Sequence, residues 1–344
     1  MGLKHQIERG TAGLFPRHGR RIVVGALLLS AVVLPLAADS VGRDLAVRIT
    51  YYVLLVASWN VLAGYAGLYS FGHVAFAAIG AYSTVLVADW EGLQFEYAFL
   101  IGGGLAAAVG ILLGLLSSRI RGPYLVVASF GLLVAVQTIV LANPSLTGGA
   151  GGSVVPRLFS AQEPELRYYL FGLLLVGVFF AISIMLLRSR PGKVIAALRD
   201  DEDGAVAIGI NPLPWKTAIF AYTSMWAGIA GVFLAQYTGF VTPSIGGVPE
   251  MSIVVAMGVA GGLGTLVGPI ISTGALLYLS DKLRVVGEGY ATLLFGVVLL
   301  FVVVAVPLIR RRVRARPSQT GSPVPESVEE IEVVTSPETG GVRA

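Results

Sequence analysis

The sequence has no cysteine and only three histidines, and these absences exclude several kinds of chemistry. Disulfide bonds, thiol catalysis and cysteine-ligated zinc all require cysteine, and the chain has none. The histidines are His5, His18 and His73, which are too few and too scattered to form a metal cluster. The sequence therefore predicts no metal site.

Charged residues are also scarce. Asp, Glu, Lys and Arg make up 13% of the 344 residues, whereas about 25% is usual in a soluble domain. Hydrophobic residues make up 55%, and the mean hydropathy is +0.80. A soluble protein of this size needs more polar surface than this chain supplies. The composition excludes a cytoplasmic enzyme, a nucleic-acid-binding domain and a disordered scaffold, and it predicts an all-α, polytopic membrane protein.

The apolar residues form ten segments with hardly any charge, each near the length of a membrane-spanning helix, which is about 20 residues. The eighth and ninth segments form one apolar stretch that glycines and Pro269 interrupt, so it is either one kinked helix or two short ones. The predicted spans are 21–38, 49–68, 73–88, 97–117, 123–142, 168–187, 216–238, 250–263, 265–280 and 290–308.

The distribution of lysine and arginine favours ten crossings. Cytoplasmic loops carry an excess of these residues. With ten crossings and both termini inside, all but six of the 24 bases lie on the inner side. A single crossing over 250–280 would instead place the basic run at 310–316 outside. The six bases left outside are Arg43, Arg48, Arg157, Arg167, Lys282 and Arg284.

The two ends of the chain flank a transmembrane domain at residues 21–309. Residues 1–20 are predicted to be a basic cytoplasmic segment, and residues 310–344 a basic stop followed by a disordered tail. The first span has a second interpretation. Its basic start, apolar run and small residues Ala37 and Ala38 are also typical of a secretory signal peptide.

An energy source is missing from the sequence. No G-x-x-x-x-G-K-[S/T] motif is present, because the Gly192–Lys193 pair is followed by Val194. Ion-coupled transporters usually place an ionisable group within the membrane. Here only His73 is available, and a lone histidine is more often structural. The chain therefore has the features of a transporter, not an enzyme, and its energy is expected to come from another subunit.

The longest internal polar segment, 188–215, is predicted to be a cytoplasmic docking loop rather than a solvated connector. Pro191 is expected to start a helix and Gly209 to stop a second one, so that two short helices lie across the membrane face. Pro212 and Pro214 are expected to break the chain before the next span. The candidate docking residues are Gly192, Arg199, Asp200, Asp201, Glu202, Asp203, Gly204, Ala205 and Gly209.

Two glycine-rich segments, 64–82 and 261–274, each interrupt apolar helices. A broken helix in a membrane must be buried in protein or line a cavity, and in transporters such breaks often mark the pathway. Close helix packing is the alternative. Polar residues within the spans, such as Gln137 and Ser224, either bond between helices or line a path. The candidate pathway or gate residues are Asn60, Gly64, Gly67, Ser70, Phe71, Gly72, His73, Gly261, Gly262 and Gly264.

Five segments together resemble a known family. They are GYAGLYSFGHVAFAAIGAY (64–82), RGPYLVV (121–127), SLTGGAGG (145–152), RPGKVIAALRDDEDGAVAIGI (190–210) and GGLGTLVGP (261–269). In that order they resemble the permease subunits of branched-chain amino acid ABC importers, of the LivM type. The resemblance covers roughly residues 45–310. Asp203, Gly204, Ala205 and Gly209 loosely match the docking pattern E-A-A-x-x-x-G of such permeases, with Asp and Gly replacing its first two residues.

This resemblance implies a permease that imports leucine, isoleucine and valine by alternating access. Its partners would be a second permease of the LivH type, two cytoplasmic ATPases, an extracytoplasmic binding protein and the lipid bilayer, without nucleic acid. The chain would bind no cofactor, since the ATPases use the ATP. It would lie in the bacterial inner membrane with both termini cytoplasmic. Two alternatives remain: import of urea, short amides or another small neutral solute, and an ion-coupled secondary transporter.

Overall fold

The structure is a computed structural model that describes residues 39–88, 97–120, 122–159, 164–287, 289–290, 293–298 and 300–301. Several predicted segments lie outside these residues: the N-terminal segment 1–20, the span 21–38, Arg121, and the tail 310–344. The span 290–308 is described only in part, and residues 293–298 of it are helical.

The described residues form helices joined by short turns and one pair of two-residue strands. A short π-helical segment, Val61–Tyr65, continues the first helix. The helices are α1 (Ser40–Asn60), α2 (His73–Ala88), α3 (Tyr97–Ser117), α4 (Pro123–Ala142), α5 (Pro144–Thr147), α6 (Pro164–Arg188), α7 (Arg190–Asp200), α8 (Glu202–Ala207), α9 (Pro212–Thr238), α10 (Val248–Gly261) and α11 (Gly268–Val286); the strands are β1 (Ser153–Val154) and β2 (Phe240–Val241).

Within the described residues, five helices are long and apolar enough to cross a membrane. Two shorter apolar helices, α2 and α10, accompany them. This content confirms an all-α polytopic membrane protein. The predicted bounds 73–88, 97–117 and 123–142 coincide with α2, α3 and α4. The five long helices are α1 with its π-helical extension, α3, α4, α6 and α9.

Several predicted boundaries were wrong, including both ends of α1 and of α6. Helix α9 begins at 212 rather than 216. Helices α10 and α11 cover 248–261 and 268–286 rather than 250–263 and 265–280. Helix α1 begins at Ser40 rather than 49, because Asp39 caps it by accepting a hydrogen bond from the Gly42 N–H at 2.9 Å. Its helical backbone ends at Tyr65 rather than 68. Helix α6 extends to 164–188. Apolar length alone missed the start of α1, because a polar first turn can be helical when it is capped.

The prediction that Pro212 and Pro214 break the chain was also wrong. Both residues lie in the first turn of α9, where the Asn211 side chain accepts a hydrogen bond from the Leu213 N–H at 3.0 Å. Proline is tolerated there because the first N–H groups of a helix have no intrahelical partner. By contrast, the stretch 250–280 is divided into two helices, α10 and α11, and is not one kinked helix.

Glycines allow α3 and α9 to pack closely along their whole length, in antiparallel directions. Gly102 of α3 lies against Val232 of α9, and Gly114 lies against Thr217. Helix α2 joins them where the backbone of Gly80 contacts that of Gly228. Such close approach is what small residues provide in membrane helices. The buried core therefore lies where α1, α2, α3 and α9 meet.

The antiparallel packing gives the molecule two distinct ends. At the end that we call the loop end, Lys216 at the start of α9 lies beside Ser117 at the end of α3. At the opposite strand end, β1 and β2 pair in antiparallel register, Ser153 with Val241 and Val154 with Phe240. Arg157 fastens this end by donating a hydrogen bond to the Thr238 carbonyl at 3.2 Å.

The strand end also holds a network of charges. The Arg48 Nη2 lies 3.0 Å from Asp44 Oδ2 and 3.3 Å from Asp281 Oδ1. The ion pair with Asp281 joins α1 to α11. The Tyr237 hydroxyl of α9 donates a hydrogen bond to Asp44 at 2.6 Å. Arg48 and Arg157, two bases that the charge distribution assigns to the outer side, therefore lie at the same end of the molecule.

Replacing Gly80 with alanine tests the close packing of α2 against α9. An added Cβ would collide with the Gly228 carbonyl. Overpacking of this kind is expected to cost about 1–3 kcal/mol, and it lowers the melting temperature of the detergent-purified protein in a fluorescence size-exclusion assay. The control is Gly104→Ala, because a Cβ at Gly104 meets nothing within 4 Å. Equal melting temperatures for the two variants would contradict the packing described.

Candidate functional site

The segment between α6 and α9 folds into the two short helices that the sequence predicts. Helix α7 has Pro191 in its first turn. Helix α8 is capped by Asp201, whose side chain accepts a hydrogen bond from the Gly204 N–H at 2.9 Å. It ends at Ala207, just before Gly209, and Gly192 packs against the end of α6. We call residues 190–211 the docking segment.

The docking segment has an inner and an outer face. Ile195, Leu198 and Ala205 are buried against the rest of the molecule. Val206 and Ile208 are 46% and 77% exposed. Among the predicted docking residues, Asp200, Asp201, Asp203 and Gly209 are also exposed. The outer face therefore combines apolar side chains with carboxylates.

A buried ion pair fastens the docking segment to the transmembrane helices. The Lys216 ammonium lies 2.7 Å from both carboxylate oxygens of Glu202, and it also donates to the Ser117 carbonyl at 3.4 Å. The two side chains are only 7% and 19% exposed. Removal of either charge would leave the other buried without compensation, which is strongly destabilising. Helix α8 is thereby tied to α3 and α9.

Arg199 connects the docking segment to the first glycine-rich break. Its Nη1 donates a hydrogen bond to the Gly64 carbonyl at 3.1 Å, while Nε and Nη2 bond to Asp200. Its side chain also crosses Gly67, where φ is +70° and an added Cβ would lie 2.6 Å from Arg199 Cγ. Only glycine meets both requirements without strain.

The two glycine-rich breaks meet at Asn60. Its Nδ2 donates to the carbonyls of Thr265, at 2.6 Å, and Gly262, at 3.4 Å. Its Oδ1 accepts a hydrogen bond from the Gly264 N–H at 3.0 Å. Beside it, the backbones of Gly64 and Gly264 are in direct contact. One buried amide therefore bonds the turn between α10 and α11 to the end of α1. We call this arrangement the break junction.

The remaining residues of the second break close the turn between its two helices. Gly261, the last residue of α10, packs against Gly268, the first residue of α11. The Ser272 hydroxyl of α11 donates a hydrogen bond to the Met257 carbonyl of α10 at 2.7 Å. The two helices therefore remain in contact on both sides of the turn.

The rest of the first break packs on α1 and α4. The Trp59 indole donates to the Ser70 carbonyl at 2.8 Å, and the Phe71 N–H donates to the Ser129 hydroxyl at 2.8 Å. Gly72 lies against the Ser129 backbone. These residues lie near the break junction without forming part of it, and Ser129 was missed because no sequence pattern marks it.

His73 is a buried structural residue. The Ser58 hydroxyl donates to the Leu55 carbonyl at 2.8 Å, so the His73 Nε2, 2.9 Å from the same hydroxyl, is the donor in that pair. Its Nδ1 has no hydrogen-bond partner within the part of the chain that the structure describes. A protonated ring would bury a second donor without an acceptor, which is costly. The geometry favours a neutral imidazole and does not favour an ion-coupling role.

Two polar residues within the spans, Ser224 and Gln137, were expected either to bond between helices or to line a path. Among the described residues, the Ser224 hydroxyl bonds within its own helix, to the carbonyls of Phe220 and Ala221. Gln137 lines a cavity at the strand end together with Glu250. Glu250 was not among the predicted site residues, although a single carboxylate at the start of an apolar span was the available signal. The pairing of Lys216 with Glu202 had no such signal.

Comparison with known proteins identifies the family. Residues 43–304 match the family described as branched-chain amino acid transport system / permease component, and the chain belongs to that family. It is 31% identical over 311 residues to the high-affinity branched-chain amino acid transport system permease protein LivM of Escherichia coli (strain K12), which covers 83% of this chain and 73% of that protein.

More distant relatives share the permease description. The chain is 26% identical over 251 residues to the high-affinity branched-chain amino acid transport system permease protein LivH of Escherichia coli (strain K12), covering 67% of this chain and 81% of that protein. It is 25% identical over 198 residues to the autoinducer 2 import system permease protein LsrC of Yersinia enterocolitica, covering 56% and 53%. No solved structure matches this chain. The expected transport permease is therefore confirmed at the level of the family.

Replacing Asn60 with alanine tests the break junction. The change leaves the Thr265 carbonyl and the Gly264 N–H without their partner, and each unsatisfied buried group is expected to cost about 1–3 kcal/mol. The melting temperature of the purified protein should fall clearly. In the control, Asn143→Ala, only one exposed hydrogen bond to Ile139 is lost. If Asn60→Ala and the control have the same melting temperature, the break junction does not stabilise the fold.

Proposed function

We propose that this chain is a permease subunit of an ATP-driven ABC importer for branched-chain amino acids. It would form the translocation pathway with a second permease, and it would work with two cytoplasmic ATPases and an extracytoplasmic binding protein. We place it in the inner membrane with both termini and the docking segment on the cytoplasmic side. The observation that carries the proposal is the family match over residues 43–304, which extends from the first turn of α1 to beyond the end of α11.

The docking segment supplies the surface that an ATPase subunit would bind. Exposed apolar residues rimmed by polar ones are typical of a protein–protein contact. Val206 and Ile208 are such residues, and Asp201 and Asp203 lie beside them. The inner face is fastened by Glu202 and Lys216. A partner that moved the outer face would therefore also move the ends of α3 and α9.

Arg199 supplies a route from the docking segment to the pathway. It bonds to the Gly64 carbonyl, and Gly64 contacts Gly264 in the break junction. Two successive contacts, Arg199 with Gly64 and Gly64 with Gly264, thus connect the docking segment to the turn joining α10 to α11. In the proposed mechanism, closure of the ATPases on ATP shifts the docking segment, and the break junction rearranges to open the pathway alternately on each side.

Two features of the chain support the proposal that partner ATPases supply the energy for transport. The sequence lacks a P-loop, so the chain is assigned no ATPase activity of its own. The buried, neutral arrangement of His73 provides no support for ion coupling. Branched-chain amino acids are proposed as the substrates because the LivM relative, with 31% identity, carries that substrate in its name.

The docking surface is tested by Ile208→Asp. Putting a charge on the exposed apolar face should cost the ATPase most of its affinity, so that little ATPase co-purifies with the tagged permease. The control is Val154→Asp, because Val154 is 81% exposed in β1 at the strand end. It should recover the ATPase as the wild type does. Normal recovery with Ile208→Asp would show that the ATPase binds elsewhere.

The coupling route is tested by Arg199→Ala. The complex should assemble and hydrolyse ATP, but leucine uptake per ATP hydrolysed should fall several-fold in proteoliposomes, because the link to Gly64 is lost. Arg190→Ala is the matched control, since Arg190 is an exposed arginine at the start of the same helix. An unchanged ratio of uptake to hydrolysis in Arg199→Ala would refute this route.

A further inference from the structure

A cavity of about 430 Å³ lies at the strand end, on the opposite end from the docking segment. Four helices contribute to it: α1 through Tyr52, α4 through Gln137, α9 through Leu234 and α10 through Glu250. The loop after β2 completes its wall. A site built by four helices can change shape when those helices move relative to one another.

One wall of the cavity carries a carboxylate. Glu250 lies in the first turn of α10 and is only partly exposed. The Tyr52 hydroxyl is its hydrogen-bond partner, and Arg284 is a nearby positive charge. A carboxylate accepts up to about four hydrogen bonds, so Tyr52 leaves further acceptor capacity on Glu250. A ligand cation is the group that this capacity suits best.

A second wall carries an amide. Gln137 lines the same cavity, and no hydrogen bond to its side chain is present among the described residues. An amide of this kind offers two N–H donors and one acceptor. The hydroxyl-bearing residues Thr242 and Ser244 also line the cavity, although their hydroxyls bond to each other at 2.6 Å. Donors for a ligand anion are therefore present besides the carboxylate.

The rest of the lining is apolar. Leu234, Phe240, Val241 and Ile245 face the same space. Small-molecule sites typically combine such an apolar lining with a few placed polar groups. A carboxylate, an amide and an aliphatic wall match the three parts of an aliphatic α-amino acid: its ammonium, its carboxylate and its side chain.

We propose that this cavity receives the transported amino acid, with Glu250 binding its ammonium group and Gln137 its carboxylate. The inference rests on the proposed function, since the strand end is then the outer face, where a binding protein releases its cargo. The apolar lining accepts leucine, isoleucine or valine. Glu250 thereby gives the permease itself a preference for amino acids over uncharged solutes such as urea.

The direct test is leucine binding to the assembled permease–ATPase complex in lipid nanodiscs, without the binding protein. Leucine should raise the melting temperature of the wild-type complex. With Glu250→Gln, the leucine concentration for half of that effect should rise at least about tenfold, as expected for the loss of a charge-assisted hydrogen bond. Glu165→Gln, in the first turn of α6 and outside the cavity, should match the wild type.

Two further measurements keep the test decisive if Glu250→Gln does not fold. The first is Gln137→Leu, which should also weaken leucine binding. The second uses the wild type with 4-methylpentanoate, which has the leucine side chain and carboxylate but no ammonium, and which should not stabilise the complex. The proposal would be overturned if 4-methylpentanoate stabilised the wild-type complex as much as leucine does. It would also be overturned if the cavity variants bound leucine with undiminished affinity, or if leucine did not stabilise the wild-type complex.

Measurement of ATP-driven uptake distinguishes a failure of the cavity assignment from a failure of the proposed importer function. If the wild-type complex imports leucine in proteoliposomes and Glu250→Gln imports it with the same dependence on concentration, only the cavity assignment fails. If the wild-type complex, with its binding protein, imports no branched-chain amino acid, the proposed function itself fails.

Discussion

A backbone that leaves the helical conformation within an apolar environment must have its free N–H and C=O groups bonded by protein. In this chain the Asn60 side chain meets that requirement for the turn between α10 and α11. The direct contact of Gly64 with Gly264 depends on the same arrangement, because a Cβ on Gly64 would collide with both Asn60 and Gly264. These hydrogen bonds therefore hold the two glycine-rich breaks against each other.

The contacts on either side of the junction give it a place in a transport cycle. At the loop end, Arg199 holds Gly64, and Glu202 is buried against Lys216, so the docking segment and the helices form one connected unit. Glycine-mediated packing joins α2, α3 and α9 into its core. At the strand end, α9 borders a cavity that also contacts α1, α4 and α10 and that holds a carboxylate and an amide. Displacement of the docking segment can therefore reach the cavity at the strand end through packed helices, without a charged relay in the membrane.

The sequence predicted helix bounds that depend on neighbouring residues, but it did not predict contacts between residues far apart in the chain. Apolar length and flanking glycine or proline predicted the bounds of α2, α3 and α4, and Pro191 and Gly209 predicted α7 and α8. Gly64, Gly262 and Gly264 of the break junction were candidates from their glycine pattern, and Asn60 was a candidate as a polar residue within a span, whereas Thr265 was not a candidate. Their pairing was not predictable, because Asn60 and Thr265 are 205 positions apart and any of several polar residues could have faced the turn. The same limit hid the Lys216–Glu202 pair, since each residue alone is typical of a solvated loop. Capping by Asp39 and Asn211 extended helices beyond their apolar runs, which a hydropathy pattern does not register.

The proposed import of branched-chain amino acids by this permease, with energy from partner ATPases, is tested most directly by reconstitution. The chain, its second permease, the two ATPases and the binding protein would be placed in proteoliposomes, and uptake of labelled leucine and labelled urea would be measured with and without ATP. We expect leucine to accumulate only when ATP and the ATPases are present, with little uptake of urea. ATP-independent accumulation of leucine driven by an ion gradient, or selective uptake of urea, would contradict the account.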